Sequence, residues 1–322
     1  MRKLGILTSG GDAPGMNACI RAIVRTALAS NLDVIGIRRG YHGLIRGDIV
    51  TLDRRAVTNV IHQGGTVLGT ARCEEFKTVE GRQLAIRVLE QAGVEGLVLI
   101  GGDGTFHGAS VMSKECGINC IGIPGTIDND VYGTDYSIGF DSAVNCALHA
   151  IDHIRDTAQS HERLFFVEVM GHHTGFIALE SGLAGGAEEL LIPEIPLGIN
   201  DLCSRLERDF KGAKKSAIVV VAEADQPGYS FQIAQQVKDR AGLESKVCVL
   251  GHIQRGGSPT ARDRVLASAL GVAAVQALLS NRNGEMVGEI CGKLAYTPLQ
   301  YTWDKKKELN TDLKRLAILL SG

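Results

Sequence analysis

The sequence predicts an α/β fold of the doubly wound kind, divided between two compact units. Three observations carry that expectation. Short apolar runs rich in β-formers alternate with amphipathic helical stretches, as strands do when crossover helices cover both faces of a parallel sheet. The chain has 322 residues, and compact units hold roughly 150 each. Glycine accounts for 40 of them, about 12% against an ordinary ~7%, and it gathers where the apolar runs end, as tight loops require.

In chain order, residues 3–7 form a strand and 16–30 a helix, with the apolar stripe Ile20, Ile23, Val24 and Ala27 on one face. Residues 97–100 and 119–123 are further strands, the first followed by a helix over 105–115 and the second by a polar loop. Apolar runs at 165–170, 217–222 and 247–250 are strands of the same buried type, with helices over 230–241 and 260–279. A last amphipathic helix is expected after Trp303. No linker rich in Pro or Ser divides the chain, so a boundary is placed near the polar stretch 128–137.

Thirty-four Lys and Arg against 36 Asp and Glu leave a net charge of -2, which excludes the global basic field that favours a nucleic-acid backbone. Any anion site is local. The eight cysteines (19, 73, 116, 120, 146, 203, 248 and 291) show neither C-x-x-C nor paired metal-ligand spacing. The apolar run after Met1-Arg2-Lys3 stops after four positions, too short for a secretion signal, and no segment approaches the ~18 apolar residues of a membrane span. A soluble, reduced, cytoplasmic protein is expected, with neither nucleic acid nor membrane as partner.

Ligands of open parallel sheets gather beyond the carboxyl ends of the strands, and five loops there carry chemistry. Thr8-Ser9-Gly10-Gly11-Asp12-Ala13-Pro14-Gly15 opens a helix whose N–H groups can face a phosphate, without the P-loop pattern. Gly101-Gly102-Asp103-Gly104-Thr105 permits close backbone approach, and Asp103 suits Mg²⁺ shared with substrate phosphates; a tight turn without ligand explains the same letters. Pro124-Gly125-Thr126-Ile127-Asp128-Asn129-Asp130 sets two carboxylates at i and i+2 beside a hydroxyl, enough to deprotonate an acceptor and position a metal, or simply an Asn-Asp turn. Val169-Met170-Gly171-His172-His173-Thr174-Gly175 offers two imidazoles without zinc spacing, and Leu250-Gly251-His252-Ile253-Gln254-Arg255-Gly256-Gly257 an imidazole and a guanidinium able to grip an anion. Five such tips in one chain favour a phosphorylated ligand.

In this order, TSGGDAPGMN, GGDGT, PGTIDND, VEVMG and GHIQRGG resemble the bacterial ATP-dependent 6-phosphofructokinases, from Leu4 to about Leu279. The resemblance implies two doubly wound three-layer α/β/α domains with mainly parallel sheets. Residues 1–139 plus about 252–305 would bind ATP, and 140–251 plus about 306–322 fructose 6-phosphate. It implies transfer of the ATP γ-phosphoryl group to the 1-hydroxyl of that sugar, with Mg²⁺, in a homotetramer whose active sites are shared between subunits. By motif, the resemblance makes Asp128 the expected base, with Thr126, Asp130, Gly11, Arg72 and His172 at the reacting phosphoryl group. Gly11, Arg72, Cys73, Gly102, Asp103, Gly104 and Thr105 would bind ATP, and Asp103 would hold the metal. Thr126, Ile127, Asp128, Met170, Gly171, His172, Glu223, His252, Ile253, Gln254 and Arg255 would bind the sugar phosphate, with Arg163 and Lys246 supplied by a neighbouring subunit. The family usually has Arg at the positions of His172 and Lys246, and both replacements lose a bidentate fork.

The phosphoryl donor also leaves a mark. Pyrophosphate-using relatives tend to carry Asp after GGD and Lys before TID; this chain has Gly104 and Gly125, small residues that leave room for ATP. Arg21 and Arg25, at i and i+4, share one helix strip. A solvated face explains them alone, but the resemblance adds Arg54, Arg155, Gly186, Glu188, Lys214, Lys215 and Ser216 to a site for ADP, GDP or phosphoenolpyruvate. A nicotinamide oxidoreductase would need an acidic residue ending a strand ~20 residues after the glycine turn, which is missing. A sugar-phosphate sensor would have no use for Asp103, Asp128 and Asp130 together.

Overall fold

A computed structural model describes residues 1–211, 216–223 and 227–320. Its elements run β1 (Lys3–Thr8), α1 (Met16–Ala29), β2 (Asp33–Ile37), α2 (Gly40–Ile45), β3 (Ile49–Thr51), α3 (Val79–Gln91), β4 (Gly96–Gly101), α4 (Asp103–Cys116), β5 (Asn119–Pro124), α5 (Phe140–His161), β6 (Leu164–Val169), α6 (Phe176–Ala184), β7 (Glu189–Leu191), α7 (Ile199–Lys211), β8 (Ala217–Ala222), α8 (Tyr229–Ala241), β9 (Ser245–Val249), α9 (Ala261–Leu279), β10 (Glu285–Ile290), β11 (Lys293–Pro298), α10 (Tyr301–Asp304) and α11 (Thr311–Leu320). Two compact units result. The first holds Met1–Ile127, Val131–Ser142 and Arg255–Lys307; the second holds Asp128–Asp130, Ala143–Gln254 and Glu308–Gly322.

The first unit carries a seven-stranded sheet ordered β11-β10-β5-β4-β1-β2-β3. Its five inner strands pair in parallel, and the edges β3 and β11 pair antiparallel. Successive strand side chains point to opposite faces. Leu97 and Leu99 therefore share a cluster with Leu44, Phe76, Leu89 and Phe106 from the α2–α4 side, while Val98 and Ile100 are buried on the other face, where α1 and α9 pack on each other and on the sheet. From β1 the chain goes to β2 on one side and later to β4 on the other, so the switch point lies between β1 and β4.

The second unit is a four-stranded, wholly parallel sheet ordered β7-β8-β6-β9. Phe166, Val219 and Val221 pack with Leu202 and Leu206 of α7 and Ile233 and Val237 of α8, and α6 lies against β8 and β7. Both units are thus three-layered.

Three differences from the sequence reading have physical causes. Helix α4 begins at Asp103, two residues before the expected 105, because Gly102 is its N-cap. Strand β9 starts at Ser245 rather than 247, since its ladder with β6 opens at the Leu164–Ser245 pair. In the divergent stretch beyond 293, where only a helix was expected, β11 closes a hairpin with β10 through Cys291 and Gly292, both at positive φ, the backbone of a tight two-residue turn. Among the described residues no helix is long and apolar enough to cross a membrane.

Candidate active site

In the first unit, the tips of β1 and β4 are tied together by backbone and hydroxyl groups. The Ser9 N–H donates to Ile100 O at 3.0 Å, Thr105 Oγ1 donates to Ser9 O at 3.2 Å, and Thr70 Oγ1 donates to Gly10 O at 2.7 Å. Behind them, buried Asn17 gives Nδ2 to the carbonyls of Gln63 and Gly64 and takes the Val67 N–H on Oδ1 at 2.7 Å, shaping the loop that leads to Arg72. Arg72 is exposed, and the half-buried Cys73 side chain packs on the apolar cluster. Tyr41, missed in the sequence, stacks on Phe76 at 3.8 Å and donates to Thr105 O at 2.6 Å.

Asp103 is the exposed first residue of the 14-residue helix α4, its Oδ1 accepting the Gly104 N–H at 2.6 Å. That helix end favours anions. The carboxylate is a hard oxygen donor of the type Mg²⁺ takes, and a Cβ added at Gly102 or Gly104 would meet nothing within 4 Å, so space for phosphates and a cation adjoins it. The expectation of equal room at Gly125 is corrected. A Cβ there would stand 2.7 Å from Ile100 Cγ2 and 3.2 Å from Met16 Cε, so the protein's own core fills that space. Over Gly11 lies Arg255, whose Nη1 donates to Asp12 O at 3.2 Å; a Cβ on Gly11 would come within 2.5 Å of that nitrogen.

After β5, Ser137 Oγ donates to Thr126 O at 2.7 Å. Ile127, read as a substrate contact, is fully buried, which leaves only its backbone for that role. Asp128 and Asp130 are half-buried around Asn129, which sits buried at φ +55°, a left-handed turn that Asn tolerates. Residues 128–130 group with the second unit, where the sequence reading kept them in the first; the charge of Asp128 is felt there by Glu223.

In the second unit, the turn after β6 closes through Thr174, whose N–H and Oγ1 both donate to Gly171 O at 2.9 Å. His172 is exposed at φ +56°, its ring 3.9 Å from that of His173, and its backbone N–H donates to Glu223 Oε1 at 3.1 Å. Burial pushes the Glu223 carboxyl above its ordinary range, and the charges of Asp128 and Glu168 add to this, against the N–H groups of His172 and Gly171. His252 and Ile253 are exposed on the 3₁₀ turn Gly251–Arg255. Gln254, expected to touch substrate, is wholly buried instead, its Oε1 accepting the Met170 N–H at 2.8 Å. Arg163 and Lys246 are exposed at the amino ends of β6 and β9, where Lys246 pairs with Phe165. At ~3.3 Å per residue Arg163 is roughly 20 Å, and Lys246 roughly 10 Å, from the carboxyl ends of those strands, so both lie towards the ends opposite the turn that carries His172.

Two buried carboxylates that the sequence reading passed over cap helices. Glu168 accepts the N–H of Gly228 at 2.6 Å and the N–H and Oγ of Ser230 at 2.8 and 2.6 Å, at the start of α8. Asp263 accepts the N–H groups of Gly139 and Ser142 at 2.8 Å each and Ser142 Oγ at 2.6 Å, near the start of α5. An acid inside the apolar run Val167-Glu168-Val169 was the available signal, since a charge buried there needs partners.

Of the residues matched to an effector site, Arg21 is half-buried and Arg25 and Arg54 are exposed, all in the first unit. In the second, Arg155 Nη2 donates to Gly185 O and Gly186 O at 2.6 Å each and Nη1 lies 3.4 Å from Glu188, which accepts the Ile218 N–H. Ser216 precedes β8; Lys214 and Lys215 lie outside the described residues.

A profile of the family described as Phosphofructokinase matches residues 3–278. The chain belongs to the phosphofructokinase family. It is 56% identical over 321 residues to a Thermus thermophilus protein named ATP-dependent 6-phosphofructokinase 1, covering 100% of both chains, and 50% identical over 321 residues to the ATP-dependent 6-phosphofructokinase of Bacillus subtilis, again covering 100% of both. Among solved structures, phosphofructokinase from Saccharomyces cerevisiae superposes with a TM-score of 0.89 at 34% identity, over 99% of this chain. This chain spans 47% of that yeast chain.

Proposed function

We propose that this chain is an ATP-dependent 6-phosphofructokinase, moving the γ-phosphoryl group of ATP to the 1-hydroxyl of fructose 6-phosphate to give fructose 1,6-bisphosphate and ADP, a committed step of glycolysis in the cytoplasm. The observation that most supports this reading is the His172 N–H held on Glu223 Oε1 at 3.1 Å, with the charge of Asp128 acting on the same carboxylate, as a proton acceptor near a carboxylate that binds sugar hydroxyls would. Asp128 takes the proton of the attacking hydroxyl. Thr126, Asp130, Gly11 and Arg72 orient and neutralise the transferring group, and His172 adds imidazole N–H where the family usually has guanidinium. The N-terminus of α4, with Gly102, Asp103, Gly104 and Thr105, receives the nucleotide phosphates. Asp103 would hold Mg²⁺, which when bound offsets phosphate charge.

The open space at Gly104 supports ATP over pyrophosphate as donor. Arg163 and Lys246 at the opposite ends of their strands support a homotetramer in which each chain lends these cations to another's sugar-phosphate site. An effector such as ADP, GDP or phosphoenolpyruvate binds through Arg21, Arg25, Arg54, Arg155, Gly186, Glu188, Lys214, Lys215 and Ser216 in this reading. The test is a coupled assay of purified protein on fructose 6-phosphate with ATP, GTP or pyrophosphate. Turnover with ATP at least tenfold above pyrophosphate is expected; turnover with none of the three would refute the reading.

A further inference from the structure

We infer that Gln254 is a positioning residue for sugar-phosphate binding, its side-chain amide standing in for the rung that the β6–β9 ladder lacks at its carboxyl end. The inference rests on the function proposed above and concerns how that site is held. Strands β6 and β9 pair regularly as far as Glu168 and Val249, and the Leu250 N–H still donates to Glu168 O at 3.0 Å. Beyond this the chain leaves the sheet: Gly251 turns left-handed at φ +54° and opens the 3₁₀ turn Gly251–Arg255. The next N–H on β6's side, that of Met170, would be stranded in the interior, where an unpaired donor is costly. Gln254 Oε1 accepts it at 2.8 Å, from a side chain with 0% exposure.

The orientation of that amide follows from its partner. A backbone N–H can be met only by the oxygen, so Nε2 must face away, and it is buried without a hydrogen-bond partner. An apolar side chain of the same length would remove that unsatisfied donor, so the glutamine is explained by its oxygen alone. What the oxygen holds lies directly before the chemistry. Met170 is followed by Gly171 at φ +153° and His172 at φ +56°, and the His172 N–H is the group that grips Glu223. A shift at Met170 is therefore delivered to both. The same short turn exposes His252, so one five-residue segment presents one ligand-facing side chain and pins two more.

Three proteins test this by steady-state kinetics and by calorimetric binding of fructose 6-phosphate: wild type, Gln254→Leu, which puts an apolar side chain one bond shorter in place of the acceptor, and Gln254→Glu, which keeps an acceptor oxygen. Gln254→Leu is expected to weaken sugar-phosphate binding and raise its KM about tenfold or more, as loss of a group that holds others in place does, while the KM for ATP changes less than twofold. Gln254→Glu should recover KM to within about threefold of wild type. Parallel loss of both KM values, or a Glu variant as impaired as the Leu variant, overturns the inference and leaves Gln254 a structural residue. Should Gln254→Leu fail to fold, Gln254→Met takes its place in the same comparison. A wild-type protein that neither binds nor phosphorylates fructose 6-phosphate defeats the functional reading, and this inference with it, before any variant is compared.

Discussion

The two sheets present their carboxyl ends with different materials. At β1 and β4 the surface is made of backbone: glycines, carbonyls fastened by threonine hydroxyls, and the N-terminus of α4. At β6, β8 and β9 it is made of side chains: His172, Glu223 and His252, with the backbone working behind them through Gln254. A backbone-built site is vulnerable to added atoms and indifferent to many deletions. A side-chain-built site is the reverse, and it also responds to pH.

The largest effect that can separate the two comes from the proton acceptor. Asp128→Asn should lower turnover by roughly 10²–10⁴-fold, as loss of a general base does, with KM for fructose 6-phosphate changed little and the melting temperature kept; turnover near wild type would remove Asp128 from that role. Next in size, Gly11→Ala adds one methyl against Arg255 and should cost about 10²-fold in kcat/KM for ATP, as an ångström-scale misplacement can. Because the methyl displaces Arg255, a sugar-phosphate residue in the proposed reading, KM for the sugar should rise as well; an unchanged kcat/KM for ATP would mean that the loop at β1 does not serve the nucleotide.

How much of this was legible beforehand depended on distance along the chain. Buried parallel strands announce themselves in any window of six residues, and β8 spans the expected 217–222. Strands near a sheet edge do not: β10 and the edge strand β11 mix charged and apolar residues, and their hairpin was missed. The glycine-rich tips were visible as letters, but which letters face outward was not. Gln254 and Ile127 look like site residues in sequence and are buried in the fold, because alternation within a tight turn cannot be read without its φ angles. Partners lying far apart in sequence were out of reach altogether, such as Glu168 with Ser230 or Asn17 with Val67.

A smaller effect concerns the buried caps, which both units use alike. Asp263→Asn leaves one acceptor oxygen for three donors and should destabilise the fold by about 1–3 kcal/mol, measured by urea denaturation. Burial holds the Asp263 carboxyl above its ordinary range. The folded chain therefore keeps a proton that the unfolded chain has already lost, and this group's contribution makes stability fall as pH rises from the ordinary carboxylate pKa through the raised one. That slope should vanish in the Asn variant; an unchanged slope would assign it to other groups. Smallest of all, the KM for fructose 6-phosphate should fall several-fold, on the order of half a log unit, as pH rises through the titration of Glu223, which burial raises above its ordinary range. Glu223→Gln should flatten the profile, and a flat wild-type profile would mean that its charge does not face the sugar.

Trp303 is the only tryptophan in the chain. Its ring lies edge-on to His107 at 4.9 Å and packs beside the cluster that includes Phe106 and Met112, all three on the helix whose first residue is Asp103. The protein thus has a single indole, selectively excited apart from its six tyrosines, set against the helix that receives the nucleotide in the proposed reading and against one imidazole that can quench it. Its emission becomes a direct optical gauge of α4. A change in it during nucleotide titration would report movement at that helix in real time, with no label and no mutation.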